Sequence, residues 1–142
     1  MILADTGFFV AVADRRDRWH GHALACLPLA ESEGLATTWP VLAESCYLLA
    51  TRLGSEFAAR LIEDALSSAI TVWNPNEEAT AQIPTLLRKY AKLPMDLADA
   101  SLVLLAEHLG HGRILTTDTR DFGAYRWKSR KPFKNVLQEM KP

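Results

Sequence analysis

Short apolar runs alternate with longer segments of helical periodicity along this chain. Strand-like runs rich in aliphatic and β-branched residues occur at 2–5, 35–37, 70–73 and 113–117. Apolar residues spaced three and four apart predict helices over 8–12, 18–30, 38–53, 57–67 and 96–109. Strands that alternate with helices are typical of α/β proteins. The pattern therefore predicts a central parallel sheet with helices on both faces.

Residues that favour helix ends mark several of these boundaries. Thr38 is suited to cap the third helix, Gly54 to end it, and Ser55 to cap the next one. Asn76, which two glutamates follow, indicates the start of a further helix. Pro84 falls inside that segment, so we expect the helix there to be kinked or split into two.

The composition limits the broad class of the protein. The chain has 142 residues, of which 49% are hydrophobic and 23% charged, so we expect one domain over 1–142 with its own core. No apolar run approaches the roughly 20 residues that span a bilayer, and Asp5 stands where a signal peptide would carry cations. We therefore expect a cytoplasmic protein without membrane contact. Cys26 and Cys46 are too few for a disulfide framework and are expected to be small buried residues.

Charge is spread unevenly, although the formal net charge is only -1, which excludes a uniformly basic nucleic-acid binder. The basic and aromatic residues of the C-terminal stretch are Arg120, Tyr125, Arg126, Trp127, Lys128, Arg130, Lys131, Phe133 and Lys134. Such side chains suit phosphate contact and base stacking, which makes Arg126, Lys128 and Arg130 candidates for RNA contact. A solvated tail with a strand-like edge at 125–127 is the alternative.

A second basic cluster at 15–18 lies beside Trp19, His20 and His22. This cluster can border the same pocket as the C-terminal basic residues. Two histidines without a third ligand make a weak metal site. We therefore expect these histidines on an exposed surface.

Two aspartates each follow a strand-like run, at the point where the strand ends. Asp5 follows the first run, and Asp118 follows the last one. Because ligand sites in open α/β sheets lie outside the carboxyl ends of the strands, the two carboxylates would share a site if their strands are neighbours. The alternative for each of them is an ordinary cap of the helix that follows.

Two further carboxylates lie on apolar helical stripes. Glu44 has Val41 three residues before it and Leu48 four residues after it, and a buried glutamate must be paired, protonated or bound to a cation. An ion pair with an arginine or lysine is the alternative. Asp99 lies on the later apolar helix, where Asp96 can be the N-cap and Asp99 simply an acid of the first turn.

Four segments thus each place one carboxylate at a strand end or on an apolar stripe. Clustered carboxylates repel one another, and their hard oxygen atoms suit Mg2+ or Mn2+. Such sites catalyse phosphodiester hydrolysis, in which one or two metals activate water and stabilise the charge that develops on phosphate. Glu44 can orient the attacking water or act as the base.

The same segments resemble the PIN-domain ribonucleases, in particular the VapC-type toxins of toxin–antitoxin pairs. The matching segments are Ile2-Leu3-Ala4-Asp5-Thr6-Gly7, Leu42-Ala43-Glu44, Asp96-Leu97-Ala98-Asp99-Ala100-Ser101-Leu102 and Thr116-Thr117-Asp118-Thr119-Arg120-Asp121-Phe122. Each segment is short, but together they span nearly the whole domain in the order of the family. The resemblance implies a PIN-like α/β/α sandwich.

The resemblance also implies roles for individual residues. It assigns the metal and catalytic site to Asp5, Glu44, Asp99 and Asp118, and a place around that site to Thr6, Asp96 and Thr117. It implies an endoribonuclease that depends on Mg2+ or Mn2+, that self-associates into homodimers and that is inhibited by a cognate small antitoxin. RNA is then the substrate.

Two other functions remain open, and a third class lacks its sequence patterns. A solitary PIN-like nuclease of RNA processing would share the site but lack an antitoxin. A catalytically silent RNA-binding module would bind RNA without needing all four acids. A phosphatase of the haloacid dehalogenase type requires a second aspartate where Gly7 stands, and a receiver domain requires an acidic pair and a lysine; neither pattern occurs.

Overall fold

A five-stranded parallel sheet with flanking helices forms the centre of the computed structural model, which describes residues 1–142. The strands are β1 (Ile2–Ala4), β2 (Leu35–Thr38), β3 (Ile70–Trp73), β4 (Arg113–Leu115) and β7 (Lys134–Asn135). Their order across the sheet is β3-β2-β1-β4-β7, and every neighbouring pair is parallel. Two short strands, β5 (Arg126–Trp127) and β6 (Lys131–Pro132), form a separate antiparallel hairpin. The predicted parallel α/β architecture is confirmed.

Nine helices connect and cover the strands. They are α1 (Thr6–Ala13), α2 (His20–Glu33), α3 (Trp39–Arg52), α4 (Ser55–Leu66), α5 (Glu77–Thr80), α6 (Ile83–Lys89), α7 (Leu97–Leu109), α8 (Thr119–Ala124) and α9 (Val136–Glu139). No helix is both long and apolar enough to cross a bilayer.

The core lies where the central strands meet α7. The three residues of β1 are completely buried, as expected for a parallel strand covered on both faces. Helix α7 is buried without interruption from Ala100 to Ala106, so the middle of the helix is enclosed on all sides. This core holds the first turn of α7 and the ends of β1 and β4 in fixed positions, and these are the segments that carry three of the predicted site residues.

Several predicted boundaries are confirmed, and one is corrected. Thr38 caps α3 by accepting a hydrogen bond from the Val41 backbone, and Asn76 caps α5. Of the two alternatives at Pro84 the split is correct, because α5 ends before it and the proline lies in the first turn of α6, where its missing N–H costs nothing. The prediction that Ser55 caps α4 is wrong. The capping position belongs to Gly54, whose φ of 115° suits glycine.

Candidate functional site

The carboxyl ends of β1 and β4 lie side by side and open into an acidic cleft. Leu3 pairs with Ile114 and Ala4 with Leu115, so the residues that follow the two strands emerge at the same edge of the sheet. The cleft has a volume of about 370 Å³. Its charged lining residues are Asp5, Asp17, Glu44, Arg52, Asp96, Asp99, Asp118 and Asp121. All four carboxylates predicted from the sequence therefore line one cleft, together with three further acids and a single cation.

Asp5 is the most deeply buried acid of the cleft. Its Oδ1 accepts a hydrogen bond from the Thr6 backbone N–H at 2.8 Å, and its Oδ2 accepts one from the Thr116 hydroxyl at 2.8 Å. Burial raises its pKa to about 6 although both hydrogen bonds favour the charged form, and the charges of Glu44 and Asp118 act in the same direction as burial. Asp5 is therefore held in place in an environment that disfavours its charge.

Asp99 lies in the first turn of α7, where the predicted capping role and a place in the cleft are both realised. Asp96 is the N-cap and accepts a hydrogen bond from the Asp99 N–H at 2.8 Å, while Asp99 Oδ2 accepts one from the Asp96 N–H at 3.3 Å. The Tyr125 hydroxyl donates a further hydrogen bond to the same oxygen at 3.1 Å. Burial, followed by the charges of Asp96 and Asp5, raises the pKa of Asp99 to about 8.

Asp118 caps α8 and is linked to Asp5 through one hydroxyl group. Its Oδ1 accepts a hydrogen bond from the Asp121 N–H at 3.1 Å. Its own N–H donates to the hydroxyl of Thr116 at 3.0 Å, and that hydroxyl is the one that donates to Asp5. Burial raises the pKa of Asp118. The two strand-end aspartates are thus positioned by a single buried threonine.

Glu44 lines the cleft, but the prediction that it interrupts a core-facing stripe is wrong. The buried face of α3 runs through Val41, Ser45 and Leu49, whereas Glu44 is exposed. No arginine or lysine forms an ion pair with it. Glu44 therefore borders the buried face on the side that opens into the cleft, and it needs no buried partner.

The hydroxyl groups around the site differ from those expected. The Thr6 hydroxyl donates to the Val41 carbonyl at 3.4 Å, and only its backbone N–H reaches Asp5. Thr117 lines the cleft, but the hydroxyl that holds Asp5 belongs to Thr116. Thr116 lies two residues before Asp118 and accepts its backbone N–H, a local pattern that can be recognised in the sequence.

Sequence reasoning misjudged the aromatic residues near the C terminus. Tyr125 is completely buried and Trp127 is only 7% exposed, so neither offers a face for base stacking. Tyr125 instead contributes its hydroxyl to Asp99. No sequence pattern pairs these two residues, which are separated by 26 positions.

The other basic and histidine candidates lie outside the acidic cleft. Arg126 and Lys128 line a separate pocket, and Arg130 is exposed near the turn of the hairpin. His20 is half-buried and lies 2.6 Å from the Ala11 carbonyl through Nδ1, which corrects its predicted exposure. His22 is also half-buried and packs edge-on against the indole of Trp19.

The chemistry of the cleft fits a divalent cation, although its present geometry is not that of a closed coordination shell. Seven carboxylates face one guanidinium, Arg52, and burial raises the pKa of three of these carboxylates. As the side chains stand, no group of three or more His, Cys, Asp or Glu is arranged to hold a metal ion. A cation would offset the repulsion, and the carboxylates would have to rotate to bind it.

Gly7 shows how closely the walls of the cleft approach each other. A Cβ atom at this position would overlap the Thr117 hydroxyl, with the Thr117 Cβ at 3.0 Å. We expect Gly7→Ala to lower the free energy of unfolding by about 1–3 kcal/mol because Thr117 must move. Urea denaturation measures this change.

Gly123 provides the matched control, since it is also helical and a Cβ there meets no atom within 4 Å. Gly123→Ala should be neutral or slightly stabilising. Adding Thr117→Ala to Gly7→Ala should recover part of the loss, because it removes the nearest contacting atom. Equal effects of the two glycine substitutions would contradict this account.

The sequence of this chain matches known proteins over most of its length. The family model of the PIN domain matches residues 2–128. Ribonuclease VapC26 of Mycobacterium tuberculosis is 28% identical over 125 residues, which are 88% of this chain and 92% of that protein.

Solved structures share the fold at lower identity. VapC20 of Mycobacterium tuberculosis, a sarcin–ricin loop cleaving toxin, has a TM-score of 0.75 at 22% identity, over 85% of this chain and 92% of that chain. DNA-bound VapBC from Salmonella typhimurium has a TM-score of 0.65 at 17% identity, over 96% and 99% of the two chains. The family match extends from β1 to beyond β5 and includes all four predicted carboxylates. The chain belongs to the PIN-domain family, as its sequence motifs predict.

Proposed function

We propose that this protein is an endoribonuclease that hydrolyses RNA phosphodiester bonds in its acidic cleft with a divalent cation, and that it is the toxin of a VapBC-type pair. The observation that carries the proposal is that Asp5, Glu44, Asp99 and Asp118, from four separate segments, line one cleft. Arg52 is the only positively charged side chain in that cleft. The name of the relative VapC26, a ribonuclease, supports the same chemistry.

The proposed metal ligands are the same four carboxylates, with Thr6, Asp96 and Thr117 around them. Carboxylate oxygens suit Mg2+ or Mn2+. When bound, such an ion activates water and stabilises the negative charge that develops on the phosphate.

The residues of the chain have separate tasks in this proposal. Thr116 donates a hydrogen bond to Asp5, and Tyr125 donates one to Asp99, so each carboxylate is anchored through one of its oxygens. Glu44 is exposed at the rim of the cleft, where it can orient the attacking water and accept its proton. Arg52 is the cation of the cleft that can contact the substrate phosphate.

Removal of divalent cations is the direct test. We expect purified protein to cleave single-stranded RNA with Mn2+ or Mg2+ and to lose cleavage to background in EDTA, with recovery when Mn2+ is added back. Mn2+ binding, followed by electron paramagnetic resonance, should weaken at least about tenfold in Asp99→Asn.

Asp64→Asn is the control for that measurement, because this exposed aspartate of α4 lies outside the acidic cleft and should leave Mn2+ binding unchanged. Cleavage that persists in EDTA would contradict the metal requirement. RNA binding without cleavage, insensitive both to Mn2+ and to Asp99→Asn, would favour the silent binding module.

The proposal includes two protein partners. The cognate antitoxin would dock in an apolar groove of about 740 Å³ between α1, α2, α3 and α4, lined among others by Phe9, Leu27, Leu49, Phe57 and Leu61. A homodimer would cover exposed apolar residues such as Leu66, which is 79% exposed. A small open reading frame directly before the gene distinguishes a toxin from a solitary nuclease of RNA processing.

A further inference from the structure

A second polar pocket lies between α6 and the β5–β6 hairpin and carries positive charge. It has a volume of about 340 Å³. We call it the basic pocket and define it by Gln82, Thr85, Lys89, Glu107, Arg126 and Lys128. None of its three cations forms an ion pair with a carboxylate, since the ion pairs of the structure all lie elsewhere. The pocket therefore has positive charge available for an anionic ligand.

The three basic side chains of the pocket contact backbone carbonyls or aromatic rings, and these groups do not neutralise their charge. Arg126 donates from Nη1 to the carbonyls of Gly123 and Tyr125, both at 2.9 Å, and keeps its other N–H groups for a ligand. Lys89 Nζ lies 5.2 Å from the ring centroid of Tyr90, and Lys128 Nζ lies 5.9 Å from that of Trp127.

Glu107 is the only carboxylate of the pocket, and a backbone group engages it. Its Oε2 accepts a hydrogen bond from the Lys128 N–H at 3.2 Å, which anchors the hairpin to α7. Its charge offsets only one of the three cations. The pocket therefore remains positive overall.

The turn of the hairpin places a lysine where a glycine would be easier to accommodate. Lys128 has a φ of 47° and Ser129 a φ of 66°, in the left-handed region that favours Gly, Asn or Asp in tight hairpins. A lysine in this conformation costs free energy. Replacing Lys128 with glycine would therefore remove the side chain without straining the turn.

Two packed tyrosines connect the basic pocket to the acidic cleft. The Tyr125 hydroxyl donates to Asp99 in the cleft, while the next residue, Arg126, lines the basic pocket. Tyr90 packs edge-on against Tyr125 with ring centroids 5.1 Å apart, and its hydroxyl accepts the Arg126 N–H at 3.1 Å. Asp99 of the cleft and Glu107 of the basic pocket both lie on α7, eight residues or about 12 Å apart, which is within the reach of one RNA strand.

We propose that the basic pocket binds a backbone phosphate of the RNA substrate, away from the bond that is cleaved. This inference rests on the proposed function and extends it to the way in which the substrate is held. Arginine and lysine supply the charge, and Gln82 and Thr85 add neutral hydrogen-bonding groups that suit phosphate and ribose oxygens. Longer RNA gains this contact, whereas an oligonucleotide that fills only the cleft does not.

Lys128→Gly is the decisive variant because it should weaken RNA binding without lowering the stability of the fold. It removes a cation and also relieves the left-handed backbone, so the urea midpoint should stay the same or rise. The KM for a long single-stranded RNA should rise about tenfold with kcat unchanged, and the slope of log binding against log salt should fall by about 0.7. A short oligonucleotide should be cleaved equally by the variant and the wild type.

Two controls separate charge at this pocket from other causes. Lys134→Gln removes an exposed lysine that pairs with Glu139 outside the pocket, and should leave both KM and the salt slope unchanged. Ser129→Gly relieves the same turn without removing a cation, so it should keep the wild-type salt slope.

The outcomes distinguish this inference from the proposed function. A Lys128→Gly variant with the wild-type KM and salt slope for long RNA would overturn the phosphate site while cleavage itself still stands. If the wild type cleaves no RNA, the proposed function fails, and fluorescence anisotropy of the labelled RNA still tests the pocket. If the protein binds no RNA, the proposed phosphate site is wrong. If poly-glutamate of equal charge displaces the RNA, the pocket binds anions in general and is not specific for RNA phosphate.

Discussion

Replacing Asp5 with asparagine should reduce RNA cleavage about a thousandfold and leave the fold at least as stable as that of the wild type. Asp5 is the most buried carboxylate of the acidic cleft, and it is linked to Asp118 through Thr116. Asparagine keeps the shape but loses the negative charge that a divalent cation needs. The substitution should therefore lower the rate of the chemical step.

The stability of Asp5→Asn follows from the surroundings of the side chain. The amide oxygen can still accept the Thr6 N–H, and the amide N–H can donate to the Thr116 hydroxyl in place of the bond that Asp5 accepts. Because burial raises the pKa of Asp5 to about 6, its ionised form at neutral pH costs up to about 3 kcal/mol without a cation. Asparagine avoids that cost.

The measurement combines single-turnover cleavage with urea denaturation in EDTA. Asp64→Asn is the matched control, since it makes the same substitution at an exposed position outside the cleft and should keep wild-type cleavage. Cleavage by Asp5→Asn within tenfold of the wild type would exclude Asp5 from the metal site. A large loss of stability would instead point to a structural role.

The strand-end aspartates were predictable because their position follows from general rules of α/β folds. A parallel sheet aligns the carboxyl ends of its strands, so two apolar runs that each end in aspartate predict a shared edge. Adjacent pairing of β1 and β4 brings Asp5 and Asp118 to that edge. Local pattern and topology point to the same arrangement here.

Glu44 shows where helical periodicity is insufficient. Residues three and four apart both count as one face, so a stripe through Val41 and Leu48 includes Glu44. The buried face actually runs through Ser45, one position further along. A pattern read to within one residue cannot separate the core from the rim of a cleft.

Tyr125 shows the limit for contacts between distant segments. Its hydroxyl holds Asp99, yet its neighbours in the sequence are basic and suggested a surface that stacks with bases. Packing of α7 against β5 buries the ring, and that packing depends on the whole fold. The strained turn at Lys128 is likewise absent from any local pattern, because neither Lys nor Ser signals a left-handed conformation.

Without divalent cations, the free energy of unfolding should fall as the pH rises from 5 to 8. The folded-state pKa values of Asp5, about 6, and Asp99, about 8, lie above the ordinary value of 3.8. Over this range the folded state holds more protons than the unfolded state, so stability decreases with pH. Asp5 accounts for about 1 kcal/mol of the loss between pH 5 and 6, and Asp99 extends the decrease to pH 8. Urea denaturation in EDTA measures it.

Saturating Mn2+ should offset part of this loss at pH 8, since a ligand at a hundred times its Kd adds about 2.7 kcal/mol. Asp99→Asn should show a flatter profile above pH 6 and little stabilisation by Mn2+, whereas Asp64→Asn should follow the wild type. The lowered pKa of His111 acts in the opposite direction just below pH 6.5, but it is common to all three proteins and cancels in their differences. A rising profile in EDTA would mean that the pKa values of these carboxylates are not raised in the folded state. Equal stabilisation of Asp99→Asn by Mn2+ would mean that Asp99 does not bind the cation.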